Sequence, residues 1–560
     1  MSPLDNPLGF SGADCIEILV AALLLACALG WRPFLEPHAR RFATCAAWSM
    51  LLLAALPVVL RLLLLPNHPV PSPDVYDEFG HLLVADTLSH LRLANPAHPM
   101  HRFFETFFVL QEPTYSAIYP LGQGLVLAMG RALFGTPWAG VVLAVAAFCA
   151  LCYWMLRAWT TPGWALAGGI LAVVEFGPLN QWMNNYWGGA VPAAAGCLVF
   201  GALPRIAQGR LRDRLLLGLG LGIHLLTRPF ESIFLVLSVG IYFLPALRHR
   251  KETSRLARAG VVVALAALPA LALTLAQNHQ ATGHWTTLPE ALSQYQYGVP
   301  SAFTFQPNVV PHRDLTREQA LDYKMQLSFH GPGTDTLAAY LLRMEYRVRF
   351  YRFFFLAPLY IALLAFLPAA REYRFAWVLA TLALFALGTN FFPAFQFHYI
   401  AAASCLFILA SVEGLRRLAA IQVSVWPAGE QAARVVVLLC LLHFAFWYTL
   451  HAMENRDISR AARQYETWNT INHGGPERRI EVNRQLATLS GKLVVFVRYS
   501  PRHIFQEEWV YNAADIDAAR IVWARDLGPE ENQSLLRYYP DRTPVLLETD
   551  FRPPRLSPYR

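Results

Sequence analysis

The chain has 560 residues, 55% of them apolar and only 15% charged, and its mean hydropathy is +0.34. A soluble protein of this length needs more polar surface to stay dispersed, so the composition excludes an ordinary water-soluble fold. The formal net charge of +8 is scattered between apolar runs, which excludes a nucleic-acid groove as its reason.

Apolar runs of roughly 17 to 25 residues, the length that crosses a bilayer, recur from residue 15 to residue 451. They predict spans at 15–31, 44–65, 119–135, 139–157, 163–179, 190–206, 213–227, 229–247, 259–277, 351–369, 374–391, 394–412 and 432–451. The expected fold is an α-helical polytopic membrane protein of about 12 to 13 transmembrane helices. Cys15 to Trp31 lacks a basic flank before it and a small-residue cleavage pattern after it, and reads as a retained span. Cys149 and Cys152 form a CxxC inside a span, where packing is the expected role. No cysteine lies beyond Cys440, so the C-terminal region has no disulfide framework.

Arginines crowd into short loops: Arg32, Arg40 and Arg41; Arg205, Arg210, Arg212 and Arg214; Arg248, Arg250, Arg255 and Arg258; Arg416 and Arg417. Short basic loops stay cytoplasmic. The polar stretches 66–118, 278–350 and 452–560 then share the outer side, as does the turn Thr227–Arg228–Pro229–Phe230–Glu231. One conflict arises. If 119–135 and every later run cross, loop 207–212 falls outside against its arginines. Either one segment between 119 and 206 dips in and returns, or the charge rule fails once. The expected organisation is a transmembrane module over 1–451 and an extracytoplasmic α/β domain over 452–560. Both would belong to a bacterial-type inner (plasma) membrane.

In that domain, Asp457 to Ile471, Pro476 to Leu489 and Glu531 to Tyr538 have helical spacing. Leu493–Val497, Arg520–Trp523 and Pro544–Leu547 read as buried strands. Alternation of strand and helix predicts a short parallel sheet.

The first outer loop reads PSPDVYDEFGHLLVADTLSHLRLANP over 71–96. From Asp77 onward this is an amphipathic helix, with Phe79, Leu82, Leu83 and Leu91 placed to lie on a membrane surface. Asp74, Asp77 and Glu78 cluster at its start, at the water–lipid boundary. Partial desolvation there raises a carboxylate's pKa and makes it a stronger base for an acceptor hydroxyl. The structural alternative is helix capping and a favourable contact with the helix dipole.

Asp77–Glu78 and the helix after it resemble the first outer loop of the C-type glycosyltransferases. These polytopic enzymes include the protein O-mannosyltransferases and the lipid A aminoarabinose transferase. Members read Asp-Glu, then an aromatic or small residue and a run ending near a proline. The stretch DEFGHLLVADTLSHLRLANP is close to the aminoarabinose-transferase-like branch. A second family feature is a Pro-Pro-Leu opening the next span. Here Gln111–Glu112–Pro113–Thr114–Tyr115 and then Tyr119–Pro120–Leu121 keep one Pro-Leu without the double proline. A third is a basic residue before Pro or Gly at the outer end of a later span, matched by Thr227–Arg228–Pro229. The pattern covers residues 44 to 250, and the remainder is similar in layout.

The resemblance implies an inverting membrane glycosyltransferase, moving a sugar from a polyprenyl-phosphate carrier to a lipid, glycan or protein acceptor on the outer face. Asp77 would be the general base, Asp74 the alternative carboxylate, and Glu78 a supporting or orienting group. Arg228 would hold the carrier phosphate in a guanidinium fork, against the plain reading of a snorkelling arginine. Tyr119 and the amide-rich turn Asn180, Asn184, Asn185, Tyr186 and Trp187 would meet the substrate, with His81 and His398. Trp and Tyr also belong to ordinary interface belts, and a hydrogen-bonded structural role is the alternative for His398. The loop 278–350 would lie over the site and help to choose the acceptor. No spacing among His68, His81, His90, His98 and His101 matches a metal site. No cofactor is assigned, and a divalent cation is left open. The rival readings are a secondary transporter or lipid flippase, and a non-catalytic envelope scaffold presenting the tail. A transporter predicts charges inside spans and inverted repeats. Arg61 and Glu175 are the clearest such charges, and no repeat is visible.

Overall fold

A computed structural model describes Leu19, Val20, Ala22, Leu23 and residues 35–248, 250–331, 333–422, 427–453 and 477–559. The rest of the expected span 15–31 and the expected helix Asp457 to Ile471 lie outside the described residues. Among the described residues six helices are long and apolar enough to cross a bilayer: Ala46–Leu63, Pro137–Leu156, Ala190–Gln208, Lys251–Thr282, Phe397–Ala419 and Ala428–Ala452. Leu337–Phe354 and Leu359–Arg371, bent by 111°, make a seventh if counted as one. Shorter apolar helices at Leu121–Phe134, Pro162–Phe176, Ser232–Arg248 and Tyr373–Thr389 fill other expected spans. The chain is a helical polytopic membrane protein with a small C-terminal sheet. The apolar runs fold as helices of uneven length, which is why the expected 12 to 13 full spans are not all seen as such.

The run 119–135 folds as a helix shorter than a full span, contrary to expectation. Helix α1 (Tyr76–Ser89) lies alongside α2 (Leu121–Phe134). Just before α2, the Tyr119 hydroxyl donates to Asp77 Oδ1 at 2.7 Å. Near its far end, Arg131 donates to Asp86 Oδ1 at 2.5 Å. Both acceptors are on α1, so α2 follows that helix from end to end. Its 14 residues reach about 21 Å, short of the ~30 Å hydrocarbon core. If this segment does not cross, the arginine conflict is removed.

The basic loops then meet at one end of the helices. Arg157 donates to Ala43 O at 3.3 Å, Arg205 to Trp154 O at 2.9 Å and Arg255 to Ala207 O at 2.8 Å. Helix α3 (Leu211–Thr227) runs from this arginine face to the opposite, loop face. It packs closely on α4 (Arg250–Thr282). A Cβ on Gly218 would lie 2.4 Å from Val263 O, so only a glycine admits that approach.

At the loop face the three polar stretches pack on one another. The first carries a small antiparallel sheet of β1 (Asn95–Pro96), β2 (Val109–Leu110) and β3 (Thr114–Ala117), with β3 in the middle. The second contains α5 (Arg317–His330). The described part of the tail contains α6 (Glu477–Thr488). In its sheet, β4 (Leu493–Arg498) runs parallel to β5 (Ile521–Arg525) and β6 (Thr543–Glu548). An unexpected edge strand, β7 (Arg555–Pro558), pairs antiparallel with β6.

The run Leu493–Val497 is apolar at every position because both its faces are covered. Leu493, Val495 and Val497 pack with Val482 and Leu486 of α6. Val494 and Phe496 pack with Leu83, Val84 and Phe104 of the first loop. The tail sheet and the first loop therefore share one core.

Arg525 ties all three stretches together. It is buried, donates to Glu105 O and Glu318 Oε2 at 2.6 Å each, and pairs with the Glu508 carboxylate.

Phe79 was expected on a lipid surface and is instead covered by the tail. Its ring stacks on Tyr511 at 4.3 Å and 3°, and the Arg479 guanidinium lies 4.6 Å from its centroid. Leu83 is buried, and Leu91 stands 97% exposed at the end of the helix. Amphipathic spacing reports an apolar face without saying whether lipid or protein covers it.

Candidate functional site

The start of α1 builds the site. Val75 is its N-cap and offers no side-chain cap. The capping falls to Glu78, whose Oε2 accepts the backbone N–H groups of Asp74 at 2.9 Å and Val75 at 3.2 Å. Its Oε1 accepts Tyr186 N at 3.0 Å. One carboxylate thus takes the N–H groups of the N-cap and of the residue before it and fastens them to the 180–189 turn. Burial pushes Glu78 up to about 7 against the pull of these donors.

Asp77 is thereby released from capping. It accepts the Tyr119 hydroxyl on Oδ1. Burial raises its pKa, while the Tyr119 hydroxyl and the Arg228 charge pull it back. Its neighbour His81 lies under the Tyr119 ring, centroids 4.2 Å apart. Burial, then the Arg228 charge, hold His81 down to about 3, so it is neutral in ordinary conditions. Its Nδ1 is buried without a hydrogen-bond partner among the described residues.

Gly80 makes room for Tyr119. A Cβ there would stand 2.3 Å from Tyr119 Cε2. Gly80→Ala is therefore expected to push Tyr119 off Asp77 at an overpacking cost of about 1–3 kcal/mol. Thermal unfolding of the purified protein checks this, with Gly240→Ala as reference. A Cβ on Gly240 would meet nothing within 4 Å, and that variant should unfold at or above the wild-type temperature.

Arg228 follows α3 at its loop-face end. Its backbone N–H bonds His224 O at 2.7 Å, and its carbonyl accepts Ser232 N at 3.0 Å. The guanidinium lies 5.3 Å from the Tyr399 ring centroid. Asp77, Glu231, Glu290, His81 and His398 are within its electrostatic range. Among the described residues the guanidinium makes no hydrogen bond. Arg61, also at the loop face, is the opposite case. It donates to Asn184 Oδ1 at 2.7 Å, His68 O at 2.9 Å and Pro69 O at 3.1 Å.

The amide-rich turn divides in the same way. Asn184 accepts from Arg61 and donates to Pro178 O at 2.9 Å and Asn180 O at 2.7 Å. Its amide is spent on the fold, which corrects the expectation that it contacts substrate. Tyr186 is engaged too, its hydroxyl donating to Pro71 O at 2.8 Å and its carbonyl accepting Gln123 Nε2 at 3.0 Å. Asn185 is fully buried, and neither atom of its amide has a partner among the described residues. Trp187 brings the turn to His398, ring centroids 6.0 Å apart.

Asp74 is turned toward the tail, within electrostatic range of Arg479. Asp77, Tyr119, His81, Arg228 and His398 are thus brought together, while Glu78, Asn184 and Tyr186 brace them. The sequence reading missed Tyr399, Glu231, Glu290 and Asp322, which join the site from later elements. Glu231 stood in the quoted turn after Arg228, but nothing in the spacing tied the other three to Asp77. Among the described residues no group of three or more His, Cys, Asp and Glu is arranged to hold a metal ion.

No family model matches the chain, and no curated protein matches it. Among solved structures it is similar to ArnT from Cupriavidus metallidurans in the apo state, at 12% identity over 90% of this chain and 93% of that one, TM-score 0.49. It is similar to the same protein bound to undecaprenyl phosphate, at 14% identity over 89% and 92%, TM-score 0.48. It is also similar to the Archaeoglobus fulgidus oligosaccharyltransferase in complex with Zn and sulfate, at 12% identity over 89% and 67%, TM-score 0.46.

Proposed function

We propose that the chain is a glycosyltransferase that moves a sugar from a polyprenyl-phosphate carrier to an acceptor hydroxyl at the loop face. That face is the extracytoplasmic one if the basic loops stay inside. The observation that carries this reading is Arg228, a guanidinium with no hydrogen bond among the described residues, within electrostatic range of a carboxylate of raised basicity. A fork of free donors at the end of a membrane helix suits the phosphate of a lipid carrier.

The chemistry follows from the two groups. The acceptor oxygen attacks the anomeric carbon as its proton passes to Asp77. The bond from that carbon to the phosphate oxygen breaks, and the carrier leaves with the electron pair as a phosphate held by Arg228. Displacement from the rear inverts the anomeric centre. Tyr119 occupies Oδ1 of Asp77, which leaves Oδ2 for the acceptor. Asn185, with a buried amide and no partner among the described residues, would receive sugar hydroxyls. The acceptor is a lipid, a glycan or a protein.

Arg228 gives the test. Arg228→Lys keeps the charge and loses the fork, so it should weaken donor binding, and Arg228→Ala should weaken it further. Loss of hydrogen bonds to a charged group costs about 1.5–3 kcal/mol, roughly 10- to 150-fold. Donor titration in lipid nanodiscs, following release of polyprenyl phosphate from a panel of carrier-linked sugars, measures it. An arginine that merely anchors at the interface is replaced freely by lysine. Equal donor dependence in all three proteins removes Arg228 from the site.

A further inference from the structure

The loop 278–350 contributes a carboxyl that no sequence motif marks. Asp322 on α5 is completely buried. Gln326, one turn on, accepts Ser301 N at 2.9 Å and Ser301 Oγ at 3.3 Å on its amide oxygen. That fixes the amide and aims its NH2 at Asp322 Oδ2, 2.9 Å away. Oδ1 has no partner among the described residues. The next residue, Tyr323, packs with Tyr76 and Tyr119 against Phe107, Phe108 and Ile118. This brings α5 to the start of α1, with Asp322 within electrostatic range of Asp77 and Tyr76.

We propose that Asp322 serves the site as a neutral acid, whose Oδ1 carries a proton and donates it in a hydrogen bond to an oxygen of the bound substrate. Its ionisation would close the site to an anionic carrier. This deepens the glycosyltransferase reading and rests on it. A buried carboxylate oxygen with no donor is costly, whereas a protonated one is a donor awaiting an acceptor.

The surrounding groups say which carboxyl ionises first. Asp77 is faced by Tyr119, Arg228, Tyr76, Tyr399 and Asp322. Arg228 in turn is faced by Glu231, Glu290, His81, His224 and His398. Among the described residues Asp322 has only the Gln326 amide, with Tyr76 and Asp77 opposite. Asp77 therefore takes the first negative charge of the pair. Burial, and then the charge on Asp77, push Asp322 up to about 7 against the Gln326 bond.

The experiment uses polyprenyl phosphate as probe, binding to the full chain in nanodiscs between about pH 6 and 9. Wild type and Asp322→Asn should bind alike at the acid end, because Asn also donates. As pH rises, wild-type affinity should fall about tenfold relative to Asp322→Asn, the equivalent of one pKa unit of coupling. The probe's own titration is common to both and cancels in the ratio. Gln326→Leu removes the bond that favours the ionised form, so its fall should come at higher pH. Parallel curves for wild type and Asp322→Asn, or no displacement in Gln326→Leu, overturn the proposal. If polyprenyl phosphate binds none of the proteins at any pH, or binds Arg228→Ala undiminished, the glycosyltransferase reading itself fails.

Discussion

Asp77→Asn should cut transfer at least about 100-fold, the usual loss when a required general base is removed, while the protein folds as before. The amide oxygen still accepts the Tyr119 hydroxyl, so the geometry stays, but the nitrogen cannot take a proton. Removing a buried charge without leaving a partner bare should hold the unfolding temperature level or raise it. The same group predicts the pH profile of the wild type. Asp77 works only when ionised and its pKa is raised. Activity therefore increases as pH climbs through that raised value and is lost below it. Release of polyprenyl phosphate, followed with a matched donor and acceptor, measures both effects. Near-full turnover in Asp77→Asn together with loss in Asp74→Asn would move the base to Asp74.

Arg525→Met should cost about 3–5 kcal/mol, the penalty for breaking a buried ion pair from one side. The guanidinium is the partner of two buried carboxylates, Glu318 and Glu508, and of the Glu105 carbonyl. Glu508 keeps donors of its own, Trp509 N and Val510 N at 2.9 Å each. Among the described residues Glu318 has no other partner to inherit its charge, so the second loop should loosen first. Thermal unfolding with limited proteolysis of 278–350 would read this. Neutralising both acids as well, in Arg525→Met/Glu318→Gln/Glu508→Gln, should recover part of the loss. An Arg525→Met protein that unfolds at the wild-type temperature with an equally protected loop would show that Arg525 does not hold the stretches together.

Composition and run length were enough for the helical membrane class, because a bilayer imposes a length on any apolar segment that crosses it. They did not distinguish α2, since a 14-residue helix laid along α1 has the same hydropathy as part of a span. Asp77 and Arg228 were legible as candidates, a carboxylate at a helix start and a guanidinium at a helix end, each with a structural alternative. The partition of their neighbours was not. Asn184 and Asn185 are adjacent and alike in type, and only the tertiary placement of Arg61 and the carbonyls of Pro178 and Asn180 decides that the first is occupied, while the second has no partner among the described residues. Asp322 was invisible because its approach to Asp77 is made by tertiary packing of two separate loops. The edge strand β7, reading Arg-Leu-Ser-Pro, carries no alternation that would mark it.

The shared core of β4 and the first loop has a consequence for the chain as it is made. Ala514 N donates to Asp86 Oδ2 across 428 residues of sequence, and Phe79 waits for Tyr511 to cover it. At 5–20 residues per second, roughly 20 to 90 s separate the synthesis of those partners. During that interval the helix that carries Asp77 stands finished in sequence and unfinished in structure, with Phe79 and Val84 uncovered. A newborn chain thus holds the aromatic face of that helix without its stacking partner until the tail arrives.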